Sequence, residues 1–198
     1  MSYLRHWCLT WGARADEVTR KLPGDELLPG ASLVTTRAIT VGAPPESIWP
    51  WLVQMGSGRG GAYTYDWVEN LLGLNMHSAA AILPEFQNLK VGDELPLGSG
   101  GQAMRVEILD PPRVFALRMA GMNWVWIFAL FPDRGSTRLI SRNLIATDSL
   151  PRWSRPLYRL FMEPGSLVME RKMLLGIKQR AERESSRSLP DTRPGKPA

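Results

Sequence analysis

The stretch that decides the fold reads Thr36-Arg37-Ala38-Ile39-Thr40-Val41-Gly42-Ala43-Pro44-Pro45-Glu46-Ser47-Ile48-Trp49. The residues before Gly42 are rich in β-branched side chains, which predicts a strand over residues 33–41. The Pro-Pro-Glu sequence that follows is typical of a helix start, because proline is tolerated in the first turn and a carboxylate is favoured near the N-terminal end of the helix dipole. The stretch therefore predicts a strand that leads directly into a helix.

Two short helices are predicted after this strand. Apolar residues recur at helical spacing over residues 48–55, where Pro50 is expected to bend the helix because it removes one intrahelical hydrogen bond. Residues 63–72 follow the same period and are followed by a glycine, which predicts a second helix. The pattern then weakens, and a helical turn is predicted at residues 79–83.

From residue 91 onward, apolar residues recur with period two, as in strands that have one exposed face. Turn-forming segments rich in Gly and Pro separate the apolar runs at hairpin lengths, which predicts an antiparallel meander. The run from Asn123 to Phe131 is apolar on both faces and is expected to be a central strand. The predicted strands of the meander cover residues 91–97, 103–109, 114–119, 123–131 and 137–146.

A long amphipathic helix is predicted near the C-terminus. Pro164-Gly165 is expected to interrupt it, and Ser166 is a suitable cap for its longer piece. Residues 185–198 have too few apolar side chains to offset the entropy cost of ordering, so they are predicted to be a disordered tail. Residues 1–32 are rich in turn signals and are predicted to form an arm, which leaves residues 33–184 as the domain. The apolar stripe of the helix consists of Met169, Met173, Leu174, Ile177 and Ala181.

The composition excludes several classes of protein. A length of 198 residues suits one domain. Cys8 is the only cysteine, which excludes a disulfide framework and a cysteine-rich metal centre within one chain. His6 and His77 are the only histidines and are interpreted as surface or packing residues, so neither a metal nor a cofactor is expected. No apolar run has the length of a membrane span and no secretory signal is recognisable, so a cytoplasmic location is expected.

The net charge of +5 is unevenly distributed. From residue 151 onward there are 11 Lys and Arg against 5 Asp and Glu, so the basic excess lies in the C-terminal quarter. A nucleic-acid-binding protein would show a basic face across the folded body, and no nucleic-acid partner is expected. Contact of the basic C-terminal helix with an anionic membrane surface is a further hypothesis.

The predicted order of elements is the helix-grip arrangement, an α+β fold in which a curved antiparallel sheet of six or seven strands wraps around a long C-terminal helix. Together with the opening stretch, it resembles the SRPBCC superfamily, the START-like group that includes lipid-transfer domains and polyketide cyclases and dehydrases. Trp51-Leu52-Val53-Gln54-Met55-Gly56 and Arg59-Gly60-Gly61-Ala62-Tyr63 are similar to a bacterial branch of that superfamily. Because the superfamily usually has seven strands, the resemblance implies a further strand within residues 74–90.

The resemblance implies an internal cavity between the sheet and the last helix, but no shared set of catalytic residues. The leading hypothesis is that the cavity binds a small or medium-sized hydrophobic ligand, such as an aromatic, polyketide-like or lipid molecule. The candidate ligand-binding residues are Trp49, Gln54, Arg59, Tyr63, Trp124, Trp126, Phe128, Met169 and Met173.

The alternative hypothesis is an enzyme of the cyclase, dehydrase or isomerase type that uses general acid–base chemistry without a metal. Its candidate catalytic residues are Arg59, Tyr63, Tyr65 and Asp66, because a tyrosine hydroxyl near a carboxylate can orient a carbonyl or pass a proton. In the simpler interpretation Asp66 pairs locally, Tyr63 packs as an amphipathic aromatic and Arg59 is solvated.

Two other patterns have a plainer interpretation. Residues 56–61 formally match the dinucleotide fingerprint G-x-G-x-x-G, but they lie between two predicted helices rather than between a strand and a helix. They are interpreted as a flexible loop at the cavity mouth. Arg138 and Arg142 share one face of the last strand and are expected on the outer, solvent-exposed side, since on a buried face they would need an acidic partner or an anionic ligand.

Overall fold

The computed structural model describes residues 3–71, 73–98, 100–119, 121, 123–147, 151 and 157–188. Six strands form one curved antiparallel sheet, which confirms the predicted fold class. The strands are β1 (Leu33–Val41), β2 (Glu94–Pro96), β3 (Ala103–Asp110), β4 (Val114–Met119), β5 (Trp124–Asp133) and β6 (Ser136–Ile145). Their order across the sheet is β1-β6-β5-β4-β3-β2, so the first strand is an edge and pairs with the last.

The helices lie before, between and after the strands. They are α1 (Tyr3–Leu9), α2 (Ala15–Thr19), α3 (Pro45–Val53), α4 (Asp66–Leu71) and α5 (Glu163–Ser188). A five-residue π-helical stretch, Tyr158–Met162, leads into α5, and single 3₁₀ turns lie at Asp25–Leu27 and Pro84–Phe86. None of the helices described has a long enough apolar stretch to cross a bilayer.

The inner face of the sheet packs against α3 and α5. Side chains from β1, β3, β4, β5 and β6 meet buried residues of both helices in one hydrophobic core. Ile48, Trp51 and Leu52 of α3 are completely or almost completely buried there, as the helical spacing of this segment predicts. Four residues of the predicted stripe of α5 also lie in this core, namely Met173, Leu174, Ile177 and Ala181. The fifth, Met169, is half-buried.

The outer face is covered by the N-terminal arm, which forms a second hydrophobic core. Leu22 of the arm is buried against Ala116, Ile127 and Ile140 of the sheet. The arm reaches this face by crossing the free edge of β1, where the Ala38 N–H donates to the Trp11 carbonyl. Only glycine fits at position 12, because φ is positive and a Cβ would lie 2.2 Å from the Ala38 carbonyl oxygen. The crossing also protects part of an edge strand from pairing with other chains.

Arg138 and Arg142 lie on the predicted outer face, but the prediction that they are solvent-exposed is wrong. The arm buries both of them. Arg138 donates two hydrogen bonds to the carboxylate of Glu17, at 2.8 and 2.6 Å. Arg142 donates to Asp25 at 2.7 Å and to main-chain carbonyls of the arm. Burial alone would raise the pKa of Glu17, but the hydrogen bonds and charge of Arg138 hold it below its ordinary value.

Several predicted elements differ from the observed ones. Residues 74–90 contain no strand, so the further strand implied by the resemblance is absent there, and the helical turn lies at Pro84–Phe86 rather than at 79–83. The second short helix begins at Asp66, three residues after the predicted start. Tyr63 precedes it with a φ of 58°, which is incompatible with a right-handed helix. Among the meander strands, the one predicted at residues 91–97 is only three residues long, Glu94–Pro96.

The C-terminal helix is continuous where the sequence predicts an interruption. Pro164 is the second residue of α5, in the first turn, where a helix tolerates proline. The helix also continues to Ser188, beyond the predicted domain boundary at residue 184. The remainder of the predicted tail, residues 189–198, lies outside the described residues.

Candidate functional site

A row of aromatic rings runs along the inner face of the sheet and onto α3. Trp124 and Trp126 of β5 are stacked, with ring centroids 5.8 Å apart. Trp126 contacts Phe128 at 4.8 Å, and Phe128 stacks on Phe115 of β4 at 6.2 Å. Trp49 of α3 meets Phe115 edge to face at 6.2 Å. The alternation of side chains along β5 places three of these rings on one face.

The row is deeply buried at its centre and partly accessible at its ends. Phe115 and Phe128 are fully buried, whereas Trp49, Trp124 and Trp126 are half-buried. Among the candidate ligand-binding residues, the structure therefore brings these four together: Trp49, Trp124, Trp126 and Phe128. Met173 of α5 belongs to the same core.

Hydrogen bonds from the indole nitrogens fix the orientation of the two tryptophans. Trp124 Nε1 donates to Asn143 Oδ1 and Trp126 Nε1 donates to Ser141 Oγ, both at 2.8 Å. In the β5–β6 register Trp126 faces Asn143 directly, so each indole reaches one diagonal step along β6. The polar atom of each ring is thus used within the protein, and the ring faces remain for apolar contact.

Ser141 and Asn143 in turn donate to Glu170, which projects from α5. The Ser141 hydroxyl donates to Glu170 Oε1 at 2.5 Å, and the Asn143 amide donates to Oε2 at 3.2 Å. Arg37 of β1 forms an ion pair with the same carboxylate. Arg37 also donates to Ser166 Oγ at 3.0 Å and to the Cys8 carbonyl at 3.2 Å.

This polar cluster, defined as Arg37, Ser141, Asn143 and Glu170, lies almost entirely out of water. Arg37 is fully buried and each of the other three is less than 8% exposed. Burial raises the pKa of Glu170, while the Arg37 charge and the hydrogen bonds of Ser141 and Asn143 act in the opposite direction. The cluster couples β1, β6 and α5 to the tryptophan pair, because every connection is a direct hydrogen bond or ion pair.

The other ligand-binding candidates make contacts within the protein. Gln54 accepts a hydrogen bond from the Leu83 N–H at 2.9 Å and donates to the Ala81 carbonyl at 3.2 Å, so it holds the 74–90 segment against α3. Arg59 donates to the Val53 and Met55 carbonyls at the end of α3 and lies over the Phe86 ring. Burial lowers the pKa of the Arg59 guanidinium.

Main-chain hydrogen bonds hold together the two ends of the loop that carries Arg59. Gly56 and Gly61 exchange two main-chain hydrogen bonds, at 3.0 and 3.1 Å, across the residues that match the dinucleotide fingerprint. The preceding element is α3, and no parallel strand precedes the loop. The loop therefore lacks the strand–turn–helix context in which that fingerprint binds a pyrophosphate.

The four catalytic candidates lie near one another in sequence but form no acid–base pair among the contacts observed. The Tyr63 hydroxyl donates to the Trp51 carbonyl at 2.9 Å, and burial raises its pKa. Asp66 accepts two hydrogen bonds from Ser78, at 2.8 and 2.6 Å. Tyr65 is 38% exposed, with the Lys172 ammonium 5.6 Å from its ring centroid. Their catalytic roles stay a prediction.

The polar cluster was not predicted from the sequence. One signal was available: Glu170 lies three residues before Met173 and seven before Ile177, so it shares their helix face. Ser141 and Asn143 likewise share the period-two face of Leu139, which is buried. A carboxylate among core positions indicates a buried partner, but only the tertiary structure identifies Arg37 as that partner.

No metal site is formed by the described residues, since none of their His, Cys, Asp and Glu side chains come together in groups of three or more.

Comparisons with known proteins found no family model and no curated protein that matches the chain. Solved structures do match. A polyketide-cyclase-like protein from Corynebacterium glutamicum, determined by solution NMR, has a TM-score of 0.50 and 15% identity, over 78% of this chain and 94% of that one.

Two further solved structures are less similar. A protein from Nitrosomonas europaea has a TM-score of 0.47 at 11% identity, over 77% of this chain and 96% of that one. The Aha1 dimer from Colwellia psychrerythraea has a TM-score of 0.38 at 16% identity, over 68% and 96%. The Corynebacterium structure, together with the observed topology, establishes the fold: the chain has a helix-grip fold like that of this polyketide-cyclase-like protein. At this identity the similarity concerns fold alone.

Proposed function

We propose that the protein binds a small or medium-sized hydrophobic molecule against the aromatic row on the inner face of the sheet. The observation that carries this proposal is the pair Trp124 and Trp126, which are half-buried and have both indole N–H groups bonded to β6. A large, rigid apolar surface whose polar atoms are already satisfied favours an apolar or aromatic ligand. The polar cluster keeps that surface fixed before a ligand arrives, which lowers the entropy cost of binding.

Within this class, a flat aromatic or polyketide-like molecule fits better than a flexible chain. Stacking on an indole needs a planar partner, and offset stacking adds about 1 kcal/mol to simple area burial. The Corynebacterium neighbour is described as polyketide-cyclase-like, which supports this choice. A lipid is the alternative ligand.

Catalysis by Arg59, Tyr63, Tyr65 and Asp66 is the alternative function. Its support is weaker, because Arg59, Tyr63 and Asp66 already bond to main-chain carbonyls or to Ser78. Turnover of polyketide substrates that is abolished by Tyr65→Phe or Asp66→Asn would favour the enzyme.

A cytoplasmic location is part of the proposal and is supported by the free thiol of Cys8, which suits a reducing compartment.

The test combines native mass spectrometry with a fluorescent probe. We expect the purified protein to carry a co-purified small molecule, or to bind anilinonaphthalene sulfonate at one site. Trp126→Leu should weaken probe binding about tenfold, because it removes the ring that lies between Trp124 and Phe128. Trp67→Leu is the matched control, since Trp67 is 70% exposed on α4.

Equal probe affinity in the wild type and Trp126→Leu, with no co-purified molecule, would contradict the proposal. Loss of binding in Trp67→Leu alone would place the probe on the outside of the helices and would also contradict it. Far-ultraviolet circular dichroism of both variants establishes that they are folded before affinities are compared.

A further inference from the structure

The exposed apolar side chains of the described residues are concentrated on the helices. All but two of the large ones, Val34 and Val91, lie on or beside α1, α4, the π-helical stretch or α5. The densest group, here called the α1–α5 surface, consists of Tyr3, Leu4, Trp7, Leu160, Phe161 and Met162, each 47 to 86% exposed. Exposed apolar groups in such a cluster indicate an interaction surface.

The two halves of the α1–α5 surface are fixed to each other. Arg5 of α1 forms a bidentate ion pair with Glu163 at the start of α5, and both N–O distances are 2.8 Å. The Cys8 thiol donates to the Glu163 carbonyl at 3.3 Å. These contacts at Glu163 hold α1 beside the start of α5, which directly follows the π-helical stretch.

The charge around this surface is positive. The only acidic residues between positions 149 and 172 are Glu163 and Glu170, and both are buried in ion pairs with arginines. Arg171 and Lys172 on the next turns of α5 are exposed.

We propose that the α1–α5 surface docks on an anionic lipid bilayer and lies in its interface. Aromatic and aliphatic side chains flanked by Lys and Arg are the composition that the bilayer interface accepts, and each basic residue is attracted by anionic headgroups. A second copy of the chain fits less well, because a two-fold interface would bring the same positive charges face to face. This proposal is independent of the ligand binding proposed above.

The test is co-sedimentation of the full chain with vesicles of phosphatidylcholine, with and without phosphatidylglycerol. We expect binding only with phosphatidylglycerol, weakened by added salt. Leu4→Ser with Phe161→Ser should reduce affinity at least about tenfold, since two exposed apolar anchors are lost. Val34→Ser with Val91→Ser is the matched control, because both residues are exposed elsewhere, and its affinity should equal that of the wild type.

Reversal of two charges, Arg171→Glu with Lys172→Glu, should also abolish binding to phosphatidylglycerol. The proposal is overturned if the wild type binds neither vesicle, or if the α1–α5 and control pairs bind equally. Concentration-dependent dimerisation that Phe161→Ser abolishes, without vesicle binding, would assign the surface to a second copy and would likewise overturn it.

Discussion

At the scale of single residues, the pair Arg37 and Glu170 decides how the inner face is organised. Both are buried, and both accept or donate additional hydrogen bonds within the polar cluster. A buried ion pair is not a strong source of stability when compared with an apolar pair, but removal of one partner leaves a charge without compensation. The pair is therefore expected to be coupled strongly.

The first prediction concerns this pair. Glu170→Gln should lower the free energy of unfolding by about 3 kcal/mol, because Arg37 keeps its charge in a dry environment. The double variant with Arg37→Met should recover a large part of that loss. Urea unfolding of the wild type, both single variants and the double variant measures the coupling.

An exposed ion pair is the control for this prediction. Asp16 of α2 pairs with Arg20, the residue that follows this helix, and both are largely exposed, so Asp16→Asn should change stability by less than about 1 kcal/mol. A loss in Glu170→Gln no larger than that of Asp16→Asn would mean that Glu170 is neutral in the folded protein, contrary to the prediction.

At the scale of elements, α5 approaches the loop before α4 unusually closely. A Cβ at Gly176 would lie 2.6 Å from the Tyr63 carbonyl oxygen and 2.9 Å from the Tyr63 Cβ. Tyr63 has little freedom to move, because its φ is positive, its side chain is buried and its hydroxyl is bonded to the Trp51 carbonyl. The glycine is therefore what allows the helix and this loop to meet.

The second prediction follows from this contact. Gly176→Ala should destabilise the protein by about 1–3 kcal/mol through overpacking, although alanine is favoured over glycine by about 1 kcal/mol inside a helix. Gly165→Ala in the first turn of the same helix is the control, since a Cβ there would have no atom within 4 Å, and it should be neutral or stabilising. Thermal unfolding followed by circular dichroism measures both. Equal stability of the two variants would refute the close approach.

At the scale of the whole molecule, both faces of the sheet are covered, by the helices on one side and by the arm on the other. The same strands supply side chains to both cores. Loss of either core is therefore expected to destabilise the strands on which the other core depends. The arm is thus part of the cooperative unit, and we expect it to unfold together with α5.

The third prediction tests this cooperativity. Leu22→Ala in the outer core and Leu174→Ala in the inner core should each lower the free energy of unfolding by about 2–5 kcal/mol, because both side chains are fully or almost fully buried. Each should shift one common transition, with near- and far-ultraviolet circular dichroism coinciding. An early separate transition in Leu22→Ala would show that the arm folds independently of the domain.

The sequence alone predicted the fold class, the strand at Leu33–Val41 and the inner positions of Trp126 and Met173. Period-two and helical patterns are local consequences of burial on one face, so they can be read without knowing the partner element. Both stacked tryptophans were candidates from the sequence, whereas the residues that orient them were not, and ligand binding by the tryptophans stays a prediction.

Only the tertiary structure shows which residues are the ion-pair and hydrogen-bond partners of the buried charged side chains. It paired Arg37 with Glu170, which are 133 positions apart, and it buried Arg138 and Arg142 under an arm whose Glu17 and Asp25 neutralise them. It also engaged Arg59 at the end of α3 rather than leaving it for a ligand. A side chain's pattern shows whether its position is buried, but the group that satisfies its charge or hydrogen bond comes from a distant segment, and only folding brings the two together.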